Sequence, residues 1–230
     1  MLIFSEKFRL TQADFYADKG LRLSSVLDFF QTVANEHADS LGVGFDDLIK
    51  KNTTWVLARI KFTILKDLKS NNVITVETFP HPKGIAGYER DYMIYDDKGE
   101  LAVKGSSLWV LIDFTTRKIL RPFFDYEGEF VNKRAYENKI ERIAPISSIP
   151  TYSSLVTEND IDRNGHMNNI KYADLMTATA FPKKRETVTI NFLSETKKGE
   201  TVQVSAEESE NGVLYTGKID DVIKFTGKIE

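Results

Sequence analysis

Cysteine is absent from the 230 residues. That removes disulfides, thiolate zinc sites and a cysteine nucleophile, and it suits a reducing compartment. Histidine is scarce as well: His37, His81 and His166 are scattered along the chain, and without thiolates they make no metal site. No uninterrupted apolar run approaches the ~18 residues of a membrane span. The start, Met1-Leu2-Ile3-Phe4-Ser5-Glu6-Lys7-Phe8, is too short and too soon charged for a signal peptide. A phosphate-cradling glycine loop is missing, because Gly42-Val43-Gly44 lacks the downstream glycine. Neither sign of charge dominates. The 31 Lys and Arg against 34 Asp and Glu leave a net −3, no reason to expect nucleic acid, though a local basic patch stays open. The expectation is therefore no cofactor, no metal, no nucleic acid and no membrane.

What is present is an ordinary globular composition, 41% hydrophobic and 28% charged, enough for a sizeable core. Phe4, Phe8 and Leu10 alternate loosely and predict a strand over 3–11. Leu23, Val26, Leu27, Phe30, Val33, Ala34 and Leu41 recur at helical spacing and predict a long buried helix, with Ser24 or Ser25 as its N-cap. His37 extends that apolar face and reads as a packed, hydrogen-bonded histidine. Beyond Gly44 the chain turns strand-like. Strands are expected at 55–65, 73–79, 88–95 and 101–114, with Asp96-Asp97-Lys98-Gly99 as a hairpin turn. His81, between Pro80 and Pro82, reads as a surface residue. Pro122, Pro145 and Pro150 bracket a charged stretch of low periodicity that reads as a linker.

The plan then repeats: a short strand at 152–156, a polar loop, a helix near 168–181, and strands near 185–195, 200–208, 212–220 and 222–229. Ile60-Lys61-Phe62-Thr63-Ile64-Leu65-Lys66-Asp67 resembles Val188-Thr189-Ile190-Asn191-Phe192-Leu193-Ser194-Glu195, at an offset of 128 residues (60 to 188). Thr11-Gln12-Ala13-Asp14 resembles Thr157-Glu158-Asn159-Asp160, at an offset of 146 (11 to 157). Two copies of one α+β unit follow, each an antiparallel sheet covered by its helix. The boundaries are 1–125, a linker over 126–149, and 150–230.

The copies differ before their helices. The first has Asp, Lys and Gly there; the second has Asp162-Arg163-Asn164-Gly165-His166-Met167-Asn168-Asn169. In an extended loop the alternation of Asp162, Asn164 and His166 would turn all three to one side. Asn168 or Asn169 would cap the helix that follows. The helix N-terminus would favour an oxyanion formed in acyl transfer. An Asx-rich turn that only caps a helix reads equally well from spacing alone.

Asp162 to Tyr172 resembles the pattern of the acyl-ACP thioesterases, a family with tandem hot-dog architecture. Ala34-Asn35-Glu36-His37-Ala38, Trp55-Val56-Leu57-Ala58-Arg59, Arg90-Asp91-Tyr92, Ser106-Ser107-Leu108-Trp109 and Thr116 to Pro122 resemble it too, so the likeness covers nearly the whole chain. It implies an α+β fold of two tandem hot-dog domains, each a helix wrapped by an antiparallel sheet. It implies catalytic Asp162, Asn164, His166 and Glu195, and hydrolysis of fatty acyl-ACP. Plant members carry a cysteine after the glutamate; Thr196 stands there, so a general-base mechanism is expected. Plant members also begin with a transit peptide, and its absence here implies a bacterial cytosolic enzyme or a processed form.

On that reading Glu195, alone or with His166, deprotonates water. It would need an apolar setting to become a good base, and Phe192 and Leu193 are near it in sequence. Asn164 and a helix N-terminal N–H would hold the carbonyl oxygen, and Asp162 would orient His166 or Asn164. Without the resemblance Glu195 reads as a solvated strand-end carboxylate beside Lys197 and Lys198. An acyl tail needs an apolar tunnel, for which Val26, Leu27, Phe30, Trp55 and Trp109 are the candidates; the same residues read as core. The likeness associates chain-length selection with the first copy. Acyl carrier protein is acidic and should meet a basic surface, either Arg117, Lys118 and Arg121 or Lys183, Lys184 and Arg185. An acyl-CoA thioesterase, a dehydratase of 3-hydroxyacyl thioesters and a non-catalytic acyl-binding module stay open, as does a homodimer.

Overall fold

A computed structural model describes residues 1–18, 20–182 and 186–230. The basic run 183–185 lies outside the described residues. The chain divides into two units, 1–140 and 141–230.

Unit 1 contains β1 (Phe4–Arg9), α1 (Leu23–Ser40), α2 (Phe45–Ile49), β2 (Thr53–Ile64), β3 (Val73–Pro80), β4 (Tyr88–Tyr95), β5 (Leu101–Asp113) and β6 (Ile119–Leu120). Its antiparallel sheet runs β1-β3-β4-β5-β2, with β6 paired to β5. The apolar stripe of α1 is buried as its spacing predicts, from Leu23 through Val26, Leu27, Phe30 and Val33 to His37. Phe30 stacks on Tyr92 of β4 with ring centroids 4.3 Å apart and meets Phe62 of β2 edge-on.

Both ends of α1 are specified locally. It starts at Leu23, two or three residues earlier than a Ser24 or Ser25 cap would allow. A bridge from Phe15 to Leu21 fixes the entry, and the Tyr16 hydroxyl accepts the Leu23 N–H at 3.3 Å. It stops at Gly42, whose φ of +67° suits glycine. There Gly42 N–H bonds Asp39 O and Val43 N–H bonds Ala38 O, each at 3.0 Å, closing a Schellman motif.

Unit 2 contains β7 (Tyr152–Leu155), α3 (Ile170–Thr179), β8 (Thr187–Phe192), β9 (Thr201–Ser209), β10 (Gly212–Ile219) and β11 (Val222–Ile229). Its sheet order is β7-β9-β10-β11-β8. Numbering strands from one within each unit gives the same order, 1-3-4-5-2. The weak sequence repeat is thus a repeat of topology. At Thr11–Asp14 and at Thr157–Asp160 the threonine N–H and hydroxyl both donate to the aspartate three residues on. After each turn comes an isolated antiparallel bridge, Phe15 to Leu21 and Ile161 to Met167.

The segment read as a linker is bound down by side chains. In unit 1, Ala135 N–H donates to Asp91 at 2.7 Å, Arg134 pairs with Glu89, and the Tyr136 hydroxyl meets Thr63 at 2.8 Å. These bonds cover the face of β4 that α1 leaves open. In unit 2, Ile143 N–H donates to Asn191 and Ile146 N–H to Thr216. His81 corrects the sequence reading. It is 3% exposed, because its N–H continues the β3–β4 ladder to Glu89 O. Its Nε2 lies 2.9 Å from the buried Asp91 carboxylate, close enough for an ion pair but out of line for a hydrogen bond. Among the described residues no helix is long and apolar enough to cross a membrane.

Candidate active site

The loop before α3 is a tight hairpin, where the sequence suggests an extended alternation. Asp162 N–H donates to His166 O at 2.8 Å, and Gly165 N–H to Asp162 O at 3.0 Å. Gly165 has φ +80°, a backbone that disfavours any side chain. The Asp162 carboxylate accepts the N–H of Asn164 at 2.8 Å and of His166 at 3.3 Å. Asp162 therefore orders both residues through their main chain.

His166 and Glu195 meet. Their Nε2 and Oε2 are 3.2 Å apart, with side chains 16% and 31% exposed, shielded yet within reach of a small molecule. Asn164 is half-buried at the third position of the turn. At the helix start, Asn168 supplies the cap, since its Oδ1 accepts the Ile170 N–H at 3.1 Å. Asn168 N–H bonds Asp160 O and Met167 N–H bonds Thr196 O, each at 2.8 Å. The donors expected here for an oxyanion are thus mostly engaged, and within the described residues the N–H of Asn169 is left over.

Three further residues hold Glu195's segment in place. Thr196 is buried and its hydroxyl accepts from Tyr172 at 3.1 Å. Tyr172 is wedged edge-on between Phe192 and Phe225. Burial pushes its phenol above the ordinary range, so it stays a donor. Lys224, on β11, donates to the Glu195 carbonyl. Tyr172 and Thr196 were visible beside recognised motif positions; Lys224 had no local signal. Asp160 anchors the base of the hairpin. Burial raises its pKa, but the Thr157 hydroxyl and N–H and the Lys171 ammonium outweigh that and hold it low. Among the described residues, no group of three or more His, Asp or Glu could hold a metal ion.

The residues proposed for an acyl tail all lie in unit 1. Val26, Leu27 and Phe30 are buried in the packing of α1. Trp55 donates its indole N–H to Val43 O at 2.8 Å and packs edge-on against Tyr88 and Phe124. Trp109 donates to the Ser107 hydroxyl at 2.8 Å. His37 accepts from Arg90 at Nδ1, 3.0 Å away, which agrees with its reading as a packed histidine.

Two family sequence models match: the acyl-ACP thioesterase N-terminal domain over residues 1–126 and the acyl-ACP thioesterase C-terminal domain over 146–228. A chloroplastic palmitoyl-acyl carrier protein thioesterase of Arabidopsis thaliana is 29% identical over 187 residues, covering 74% of this chain and 45% of the relative. The chain thus spans about half the length of the curated relatives it matches. An acyl-ACP thioesterase structure from Bacteroides thetaiotaomicron aligns with a TM-score of 0.87 at 21% identity, covering 99% of this chain and 96% of the other. The 12:0-ACP thioesterase of Umbellularia californica aligns at 0.83 and 20% identity, covering 99% and 93%. At such identities the likeness shows the fold, α+β of hot-dog type.

Proposed function

The chain belongs to the acyl-ACP thioesterase family, and from that membership we propose that it hydrolyses the thioester of a fatty acyl group on acyl carrier protein, as a cytoplasmic step of fatty acid biosynthesis. The observation that carries this reading is the contact between His166 and Glu195 at 3.2 Å. An imidazole and a carboxylate in contact can pass one proton between them. Glu195, directly or through His166, takes a proton from water, and the oxygen attacks the thioester carbon. The carbonyl oxygen gains charge and is held by the Asn164 carboxamide and the Asn169 N–H. The C–S bond then breaks, the proton goes to the departing thiolate, and a fatty acid and the carrier thiol remain.

Unit 1 holds the acyl tail in this reading, with Leu27 and Phe30 limiting its depth. Docking of the acidic carrier is supported by a link that sequence alone does not reveal. Asn52, just beyond α2, bonds Asp113 and Thr115 at the end of β5. That brings Lys50 and Lys51 to the turn that leads into Arg117 and Lys118, with Arg121 just past β6.

The test is thiol release from acyl carrier proteins of graded chain length, with acyl-CoAs and a 3-hydroxyacyl substrate beside them. His166→Ala and Glu195→Ala should each lower kcat about 10²- to 10⁴-fold while the melting temperature holds. Near wild-type turnover in Glu195→Ala removes the general base. Release from acyl-CoA alone moves the carrier assignment, and an enoyl product makes the protein a dehydratase.

A further inference from the structure

Lys224 is a buried cation to which the reaction above gives no role. It is 7% exposed. Its Nζ donates to the main-chain oxygen of Glu195 at 2.8 Å and lies 3.9 Å from Glu200 Oε2. Its own carbonyl oxygen accepts the N–H groups of Leu193 at 2.9 Å and Ser194 at 3.2 Å. One residue of β11 thus grips three consecutive residues just past the end of β8. From the other side, Met167 N–H and the Tyr172 hydroxyl grip Thr196.

The two main-chain bonds would survive any side chain at 224. What the lysine adds is the bond to the peptide of Glu195 itself. An ammonium taken out of water costs several kcal/mol unless it is well partnered, so an apolar residue would fill this strand position with less penalty. Its one close bond goes to the residue that faces His166. We propose that Lys224 is a positioning residue for Glu195, fixing its peptide so that the carboxylate stays within reach of His166. This rests on the reading of Glu195 as the base.

A double-mutant cycle tests it. Lys224→Met should lower kcat about 10- to 100-fold, the usual consequence of a misplacement of about 1 Å, with KM within about twofold. Lys224→Arg should recover at least part of the loss, because a guanidinium can reach the same carbonyl. In a Glu195→Gln background, Lys224→Met should change kcat less than about twofold, since the group it positions is already disabled. A purely structural lysine would not produce that non-additivity. Losses that multiply, or an unchanged kcat in Lys224→Met, overturn the proposal. Should Lys224→Met melt below the assay temperature, Lys224→Leu, which likewise lacks a donor, takes its place in the same cycle and is judged by the same outcomes. If Glu195→Gln itself turns over normally, the reading of Glu195 falls first. If Glu195→Gln is slow and Lys224→Met is not, only the role of Lys224 falls.

Discussion

Acid should loosen unit 1 through His37, and the size of the effect follows from its surroundings. Burial, and then the Arg90 guanidinium at its Nδ1, lower its pKa from 6.5 to about 4. The unfolded chain takes up a proton near 6.5; the folded unit resists until about 4. Between those values the unfolded state binds more protons, so stability falls as pH falls. The contribution is fully present above about 6.5 and is lost progressively towards 4. The whole gap is worth at most about 3 kcal/mol, of which about 2 kcal/mol is gone by about pH 4.5.

Trp55 and Trp109 are the two tryptophans of the chain, and both lie in unit 1. Their fluorescence in a urea titration therefore reports the unit that holds His37. With a slope of about 2 kcal/mol per molar urea, the wild-type midpoint should fall by about 1 M between about pH 7 and 4.5. Carboxylates also titrate in this window, Glu36 among them, raised by burial and by its hydrogen bond with Glu6. The comparison is therefore with His37→Gln, which keeps an acceptor for Arg90 and cannot be protonated. Parallel pH curves for the two proteins would refute the argument.

Phe30→Ala and Leu27→Ala should shift preference towards longer acyl chains, by about 1–3 kcal/mol per methylene accommodated. If both residues are only core, each costs roughly 2–5 kcal/mol of stability and the chain-length profile stays put; profile and melting temperature on the same samples decide. Thr196→Val strands the Tyr172 hydroxyl and should cost about 1–3 kcal/mol. Adding Tyr172→Phe should recover part of that loss in the melting temperature, and full additivity would show that the bond at 3.1 Å contributes nothing.

Much of the architecture was legible because α1 and the outer strands bury one face. The stripe of α1 and the alternation of the strands report which face meets the core, and the four-residue match at an offset of 146 is the same turn in both units. What stayed hidden depends on distant partners. The five-residue α2 and the two-residue β6 are too short for periodicity to register. His81 looked exposed because prolines flank it, and only the pairing of β3 with β4 places it against Asp91. The bonds that hold the segment read as a linker run from main chain to side chains far off in sequence, so no local pattern announces them. At the candidate site, the alternation of Asp162, Asn164 and His166 suggested an extended loop, whereas a hairpin closed through the main chain arranges them. Glu195 would have been passed over without the family pattern, because Lys197 and Lys198 beside it make it look solvated.

The hairpin before each helix separates frame from chemistry. Tyr16 N–H donates to Gly20 O in unit 1 as Asp162 N–H donates to His166 O in unit 2, both at 2.8 Å. At the same offset Asp18 stands for Asn164 and Gly20 for His166, while Asp67 stands for Glu195 at the offset of the strands, 128 residues earlier. At these matching positions unit 1 carries a carboxylate and no imidazole. Because the duplicate closes its hairpin with different cargo, the scaffold does not depend on the reactive side chains. Replacing His166 or Glu195 should therefore leave the fold of unit 2 intact, which an unchanged melting temperature would show.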